Sequence, residues 1–192
     1  DEIEILGERN LEVTEEMKVT VAGQACFLLL GPHHQLFAAY GGILLSHDKS
    51  RYVYEWKDHH IKFSWEKVLK NITENRSGEN CILQGFCCVL DHPQPSEAVP
   101  GLKEAFEDYN WRKRNRALHG WERDRADSID NYFRNHLVYF FEQPFDVHRD
   151  LPELYASFRG YFALDPLELD RIETAKKRVP FQPQWREIMR EK

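Results

Sequence analysis

The residues best suited to chemistry lie in "NCILQGFCCVLD" (residues 80–91) and in the "NYFRNHLVYFFEQP" that follows later in the chain. Cys88 and His92 stand four apart, a spacing that puts two side chains on one side of a helix, and Cys/His sets suit zinc. His136 in the later segment is the third candidate ligand. Against this set, Pro93 ends the helix at His92, and His136 stands five residues from Asn131, so those two do not share a helix face. Cys88 could also serve as a nucleophile, but only with an activated thiolate and a His base. No neighbouring residue supplies that activation. The adjacent pairs His33-His34 and His59-His60 point to opposite sides of an extended chain and make poor chelates; loop solvation is their default. Trp111, Tyr132, Phe133, Phe140, Phe141, Tyr155, Phe158, Tyr161 and Phe162 fall at helical spacing and read as core.

These residues need elements to hold them. Residues 14–30 read as a helix with Thr14 as N-cap, acids in the first turn and Gly31-Pro32 at its end. "GGILLSHDKSRYVYEW" and "HHIKFSW" alternate apolar and polar residues and read as strands. A short helix follows in "SWEKVLKNI", with Ser64 as its cap. "ENRSGEN" is a loop, residues 80–91 form an apolar helix, and the Pro-rich "HPQPSEAVPG" is a loop. Three amphipathic helices come next. The first is "GLKEAFEDYNWRKRNRALHGW". The second is "DSIDNYFRNHLVYFFEQP", capped by Asp127 or Ser128 and followed by Pro144. The third is "LPELYASFRGYFALDP", with Pro152 in its first turn. A helix, a small strand group and then several helices make an α+β domain over residues 1–166. Residues 167–192 form a charged, Pro-broken tail.

The chain of 192 residues carries a net charge of −6 with a pI near 5.9. An acidic surface argues against nucleic acid as a partner. The local basic run "WRKRNRALHGWERDR" is interleaved with acids and reads as a solvated helix face. No apolar run reaches the roughly 18 residues of a membrane span, so no membrane partner is expected. The four cysteines, Cys26, Cys81, Cys87 and Cys88, show no C-x-x-C spacing and read as buried free thiols. Free thiols favour a cytoplasmic location. Asn71 and Asn75 each begin a glycosylation sequon, which matters only in a secreted context.

Several segments in order, "AGQACFLLLG", "FSWEKVL", "NCILQGFCCVLD", "NYFRNHLVYFFEQP" and "DLPELYASFRGYFALDP", resemble the family of Mlc titration factor A, the glucose-regulated zinc metallopeptidases. The likeness covers residues 19–166 and implies a zincin-like fold. In that family the third of these segments reads like N-V-V-L-H-E-F-A-H-K-L-D, with two His holding zinc and a Glu acting as general base on the bound water. Laid on this chain, Asn80, Leu83, Phe86, Leu90 and Asp91 match the scaffold. The first ligand falls on Gln84, the general base on Gly85 and the second ligand on Cys88. "YFFEQP" sets the later helix, so the third ligand falls on Asn131, a further acidic position on Val138, and a Tyr that stabilises the oxyanion on Asp124.

The resemblance therefore implies a fold without its chemistry. Neutral amides are poor zinc ligands, Gly85 accepts no proton, and zinc as cofactor is not expected. The expected function is that of a non-catalytic pseudo-peptidase, a regulatory module that binds a protein or peptide, as the family's namesake binds a transcriptional repressor. A hydrolase with a rebuilt metal site and a purely structural role are the alternatives.

Overall fold

The computed structural model describes residues 3–29, 41–47, 54–57, 60–73, 80–87, 95–122 and 126–169. A short strand, β1 (Ile5–Gly7), leads into helix α1 (Glu15–Leu29), and β2 (Gly42–Ser46) pairs with β1 in parallel. Parallel neighbours need a crossover, and α1 supplies it. Strand β3 (Tyr54–Lys57) runs antiparallel to β4 (His60–Ser64), while β4 pairs in parallel with β2, giving the order β1-β2-β4-β3. In β4, Ile61 and Phe63 are fully buried, as the alternation in "HIKFS" requires.

The remainder is helical: α2 (Trp65–Thr73), α3 (Cys81–Cys87), α4 (Pro95–Ala98), α5 (Leu102–Arg114), α6 (Ile129–Glu142), α7 (Pro144–Asp150) and α8 (Pro152–Phe162). The α+β class is thus observed, with one continuous core of residues from the sheet and helices. Helix α3 lies at its centre, in contact with α1, α2, α6, β3 and β4. That position explains its sequence: a helix covered on all sides has no reason to be amphipathic.

Local chemistry fixes the helix ends. Thr14 Oγ1 accepts the N–H of Met17 at 3.3 Å, so the expected cap of α1 forms. Ser128 caps α6 by accepting the N–H of Asn131 at 3.2 Å. Gly101, which precedes α5, has φ of 75°, a conformation that costs glycine little.

Several expectations are corrected. The Ser64 hydroxyl is buried without a hydrogen-bond partner among the described residues and does not cap α2. The segment expected to be a Pro-rich loop contains α4, since Pro95 suits the first turn of a helix. Pro144 both follows α6 and opens α7, which sequence pattern alone did not separate. Helix α5 stops at Arg114 instead of reaching Trp121. The basic run is not wholly a solvated face, because Arg112 is buried. Trp111 is not core but 56 % exposed, and Cys26 is an exposed thiol, whereas Cys81 and Cys87 are buried as expected. Leu167 packs against the core, and the charged segment from residue 170 lies outside the described residues.

Candidate functional site

Helix α3 is positioned by three amide side chains around its N-terminus. Asn80 Oδ1 accepts the N–H of Leu83 at 3.0 Å, and Asn80 Nδ2 donates to Gln24 Oε1 of α1 at 2.6 Å. Asn71 Oδ1, at the end of α2, accepts the N–H of Cys81 at 3.1 Å. These bonds satisfy donors that a helix start otherwise leaves open.

Along α3, the described residues on which the resemblance would place catalytic groups are packed against the core. Gly85 is buried, and a Cβ built on it would lie 2.6 Å from Phe63 Cε1 and 2.8 Å from Cζ. The ring of Phe63 thus occupies the room into which a side chain at residue 85 would project. Phe63 also meets Phe86 edge-on, with ring centroids 6.0 Å apart. Gln84 is half-buried. Burial pushes the Cys81 thiol up to about 12, so it stays protonated and unreactive. Cys88, His92 and Asp124 lie outside the described residues.

Asn131 sits in the first turn of α6 and turns its amide onto its own helix. Its Nδ2 donates to Asp127, and its Oδ1 accepts from Arg134 Nη1 at 3.2 Å. Val138 is fully buried. Of the three ligand positions that the resemblance implies, Gln84 and Asn131 carry neutral amides, whereas zinc takes thiolate, imidazole or carboxylate, and Cys88 lies outside the described residues. Among the described residues, no three His, Cys, Asp or Glu side chains converge as a metal site.

His136, the third candidate ligand, faces elsewhere. Its Nδ1 lies 2.9 Å from the carbonyl oxygen of Tyr132 and its Nε2 lies 3.2 Å from Glu122 Oε1. The ring is enclosed by Tyr109, Trp121, Tyr132 and Tyr139. Both ring nitrogens are thus engaged by oxygen atoms of the protein, and neither is directed at an open position that a metal could take. Arg112 stands on the other side of the same carboxylate and donates to Glu122 Oε2 through Nη1 and to Asp108 Oδ2 through Nε at 2.7 Å. A divalent ion at Glu122 would therefore confront a guanidinium.

Glu122 is the centre of this cluster. Besides Arg112 and His136, it accepts the backbone N–H of His119 at 3.0 Å. Burial alone would raise its carboxyl, but the bonds from His136, Arg112 and His119 outweigh burial and hold it down at about 2. Beside it, Trp121 donates from Nε1 to Asp150 Oδ2 at 2.7 Å and tethers the α5–α6 connection to α7. The sequence reading missed Glu122 and Arg112. Their one signal is His136 on an otherwise apolar face, which demands a buried polar partner from somewhere in the charged run.

No known protein family matches the chain, and no curated protein matches it either. Among the described residues no helix is long and apolar enough to cross a membrane.

Proposed function

We propose that the chain is a non-catalytic member of the zincin-like peptidase class, similar to the titration-factor metallopeptidases, and that it binds a protein or peptide. The observation that carries this reading is the contact of Phe63 with Gly85. At the position of the general base there is neither a proton acceptor nor room for one. The binding role draws on the sheet. Strand β3 is its antiparallel edge, packs beside α3 and has one strand neighbour among the described residues. An extended segment can join such an edge through main-chain hydrogen bonds, which need no metal. The partner is a regulatory protein or an extended peptide, and the free thiols at Cys26, Cys81 and Cys87 suit a cytoplasmic setting.

Two measurements test this. Elemental mass spectrometry after dialysis against trace zinc should find less than roughly a tenth of an equivalent, since a zinc site needs several good ligands. Close to one equivalent, lost on Cys88→Ser, would overturn the reading in favour of a rebuilt metal site. Peptides selected from a display library should then lose binding when alternate backbone amides are N-methylated. Binding indifferent to methylation in either register would remove strand addition as the mode.

A further inference from the structure

Helix α5 turns two faces to different surroundings. Leu102, Tyr109 and Arg112 are buried against the rest of the fold. Glu104, Glu107, Asp108, Trp111 and Arg114 are all exposed. At the helical repeat these residues fall in one stripe along α5. Trp111 stands in that stripe with 56 % of its surface in water, although an indole gains more from burial than most side chains do.

Charge is arranged about Trp111 with opposite signs on either side. One turn before it come Glu107 and Asp108, and one turn after it comes Arg114. The helix dipole accounts for an acid in the first turn and a base in the last, as at Glu104 and Arg114. It accounts neither for carboxylates midway along the helix nor for an exposed indole between the two signs. Asp108 is bonded to Arg112 at 2.7 Å, so Glu107 is the carboxylate of that turn that a partner would meet.

Such a stripe is its own complement. When two copies of α5 pack antiparallel about a two-fold axis at Trp111, a residue three or four positions before Trp111 in one copy meets a residue three or four positions after it in the other. The two indoles then meet at the centre, and Glu107 of each copy meets Arg114 of the other. A parallel arrangement would set like charges together.

We propose that the exposed face of α5 is a two-fold, antiparallel self-association surface whose partner is a second copy of this chain. A helix of 13 residues covers too little area for an obligate dimer, so the association is reversible. The indole pair supplies most of its strength, and the flanking ion pairs set its direction. This surface lies on a different element from β3 and does not rest on the peptide-binding reading.

Sedimentation velocity of the full chain over a wide concentration series tests the proposal. The expected result is a monomer–dimer equilibrium that Trp111→Lys abolishes without lowering Tm, since the side chain is exposed. A monomer at every concentration overturns the proposal, and so does a dimer that survives Trp111→Lys. Charge swaps test the arrangement. Glu107→Arg alone and Arg114→Glu alone each create two like-charged pairs and should weaken dimerisation about tenfold. An equimolar mixture of these two variants restores both opposite pairs and should dimerise as the wild type does. A mixture no stronger than either variant alone overturns the antiparallel pairing.

Discussion

At α3, Gly85 carries no side chain, and the ring of Phe63 lies where one would stand. In the α5–α6 connection a carboxylate is kept at complete burial, with Arg112, His136 and the His119 N–H gathered around it. Both regions are interior, and both face the same cost of removing polar groups from water. Helix α3 limits that cost by presenting almost nothing ionisable: six of its seven residues are buried, and Asn80 caps its start. The α5–α6 connection accepts the cost and supplies a partner for each carboxylate oxygen. A bare site tolerates little added volume, and a charged one tolerates no missing partner. The two regions should therefore fail in different ways.

The largest effect is expected at Glu122. Glu122→Ala leaves Arg112 and His136 buried without their shared acceptor, which should cost about 3–5 kcal/mol in urea unfolding. Replacing the whole set by apolar residues of similar size, as in Arg112→Met with Glu122→Leu and His136→Leu, should recover most of that loss, because no charge is then stranded. If Glu122→Ala unfolds within about 1 kcal/mol of the wild type, the cluster is not a closed ionic unit. Acid gives an independent reading. The Glu122 carboxyl is held at about 2 in the folded chain against an ordinary 4.5, so its contribution is fully present above pH 4.5 and disappears as pH falls through about 2. The gap corresponds to roughly 3 kcal/mol. Glu122→Gln should flatten the decline of the urea midpoint over that window; an unchanged decline would assign the acid sensitivity to other carboxylates.

At Gly85 the expected effect is smaller and has the opposite logic. In an open helix, Gly→Ala stabilises by roughly 0.5–1 kcal/mol. Here the new methyl meets the Phe63 ring, and overpacking should reverse the sign, for a net loss of about 1–3 kcal/mol. Phe63→Leu in the same chain should offset part of it, so a double-mutant cycle should show coupling of about 1 kcal/mol or more. A stabilising Gly85→Ala would mean that the ring yields freely and that the room beside α3 is open. The proposal that residue 85 has lost both its base and its space would then fail on its second half.

How legible these two regions were follows from the range of the interactions that make them. The α+β order, the Thr14 cap, the Ser128 cap and the buried α3 could all be read locally, because turn chemistry and hydrophobic pattern act over a few residues. That Gln84, Gly85 and Asn131 carry no carboxylate, imidazole or thiolate is plain from the residue types. That Phe63 fills the space at Gly85 was not, because it depends on how β4 docks on α3. The ionic cluster was illegible for a similar reason. Arg112 looks like its exposed neighbours Arg114 and Arg116, and only the docking of α6 on α5 turns it inward. Ser64 shows the converse failure: it has the sequence of a helix cap, yet its hydroxyl is buried without a partner among the described residues.

The smallest expected effect lies where α3 does carry polar contacts, at its start. Asn80→Ala removes the acceptor for Leu83 N–H and the donor to Gln24, and should cost about 1 kcal/mol, as N-cap losses do. Asn71→Ala should act on the adjacent donor, Cys81 N–H, to a similar extent. Gln24→Ala is the control, because it removes only the Asn80 side-chain partner and leaves the cap itself; it should cost clearly less than Asn80→Ala. Equal losses at Gln24 and Asn80 would mean that the bond between α1 and α3, not the cap, holds the helix start. In that case α3 would depend on a polar bridge between helices, as the α5–α6 connection does, and the contrast between the two regions would narrow to the difference between a neutral pair and a charged one.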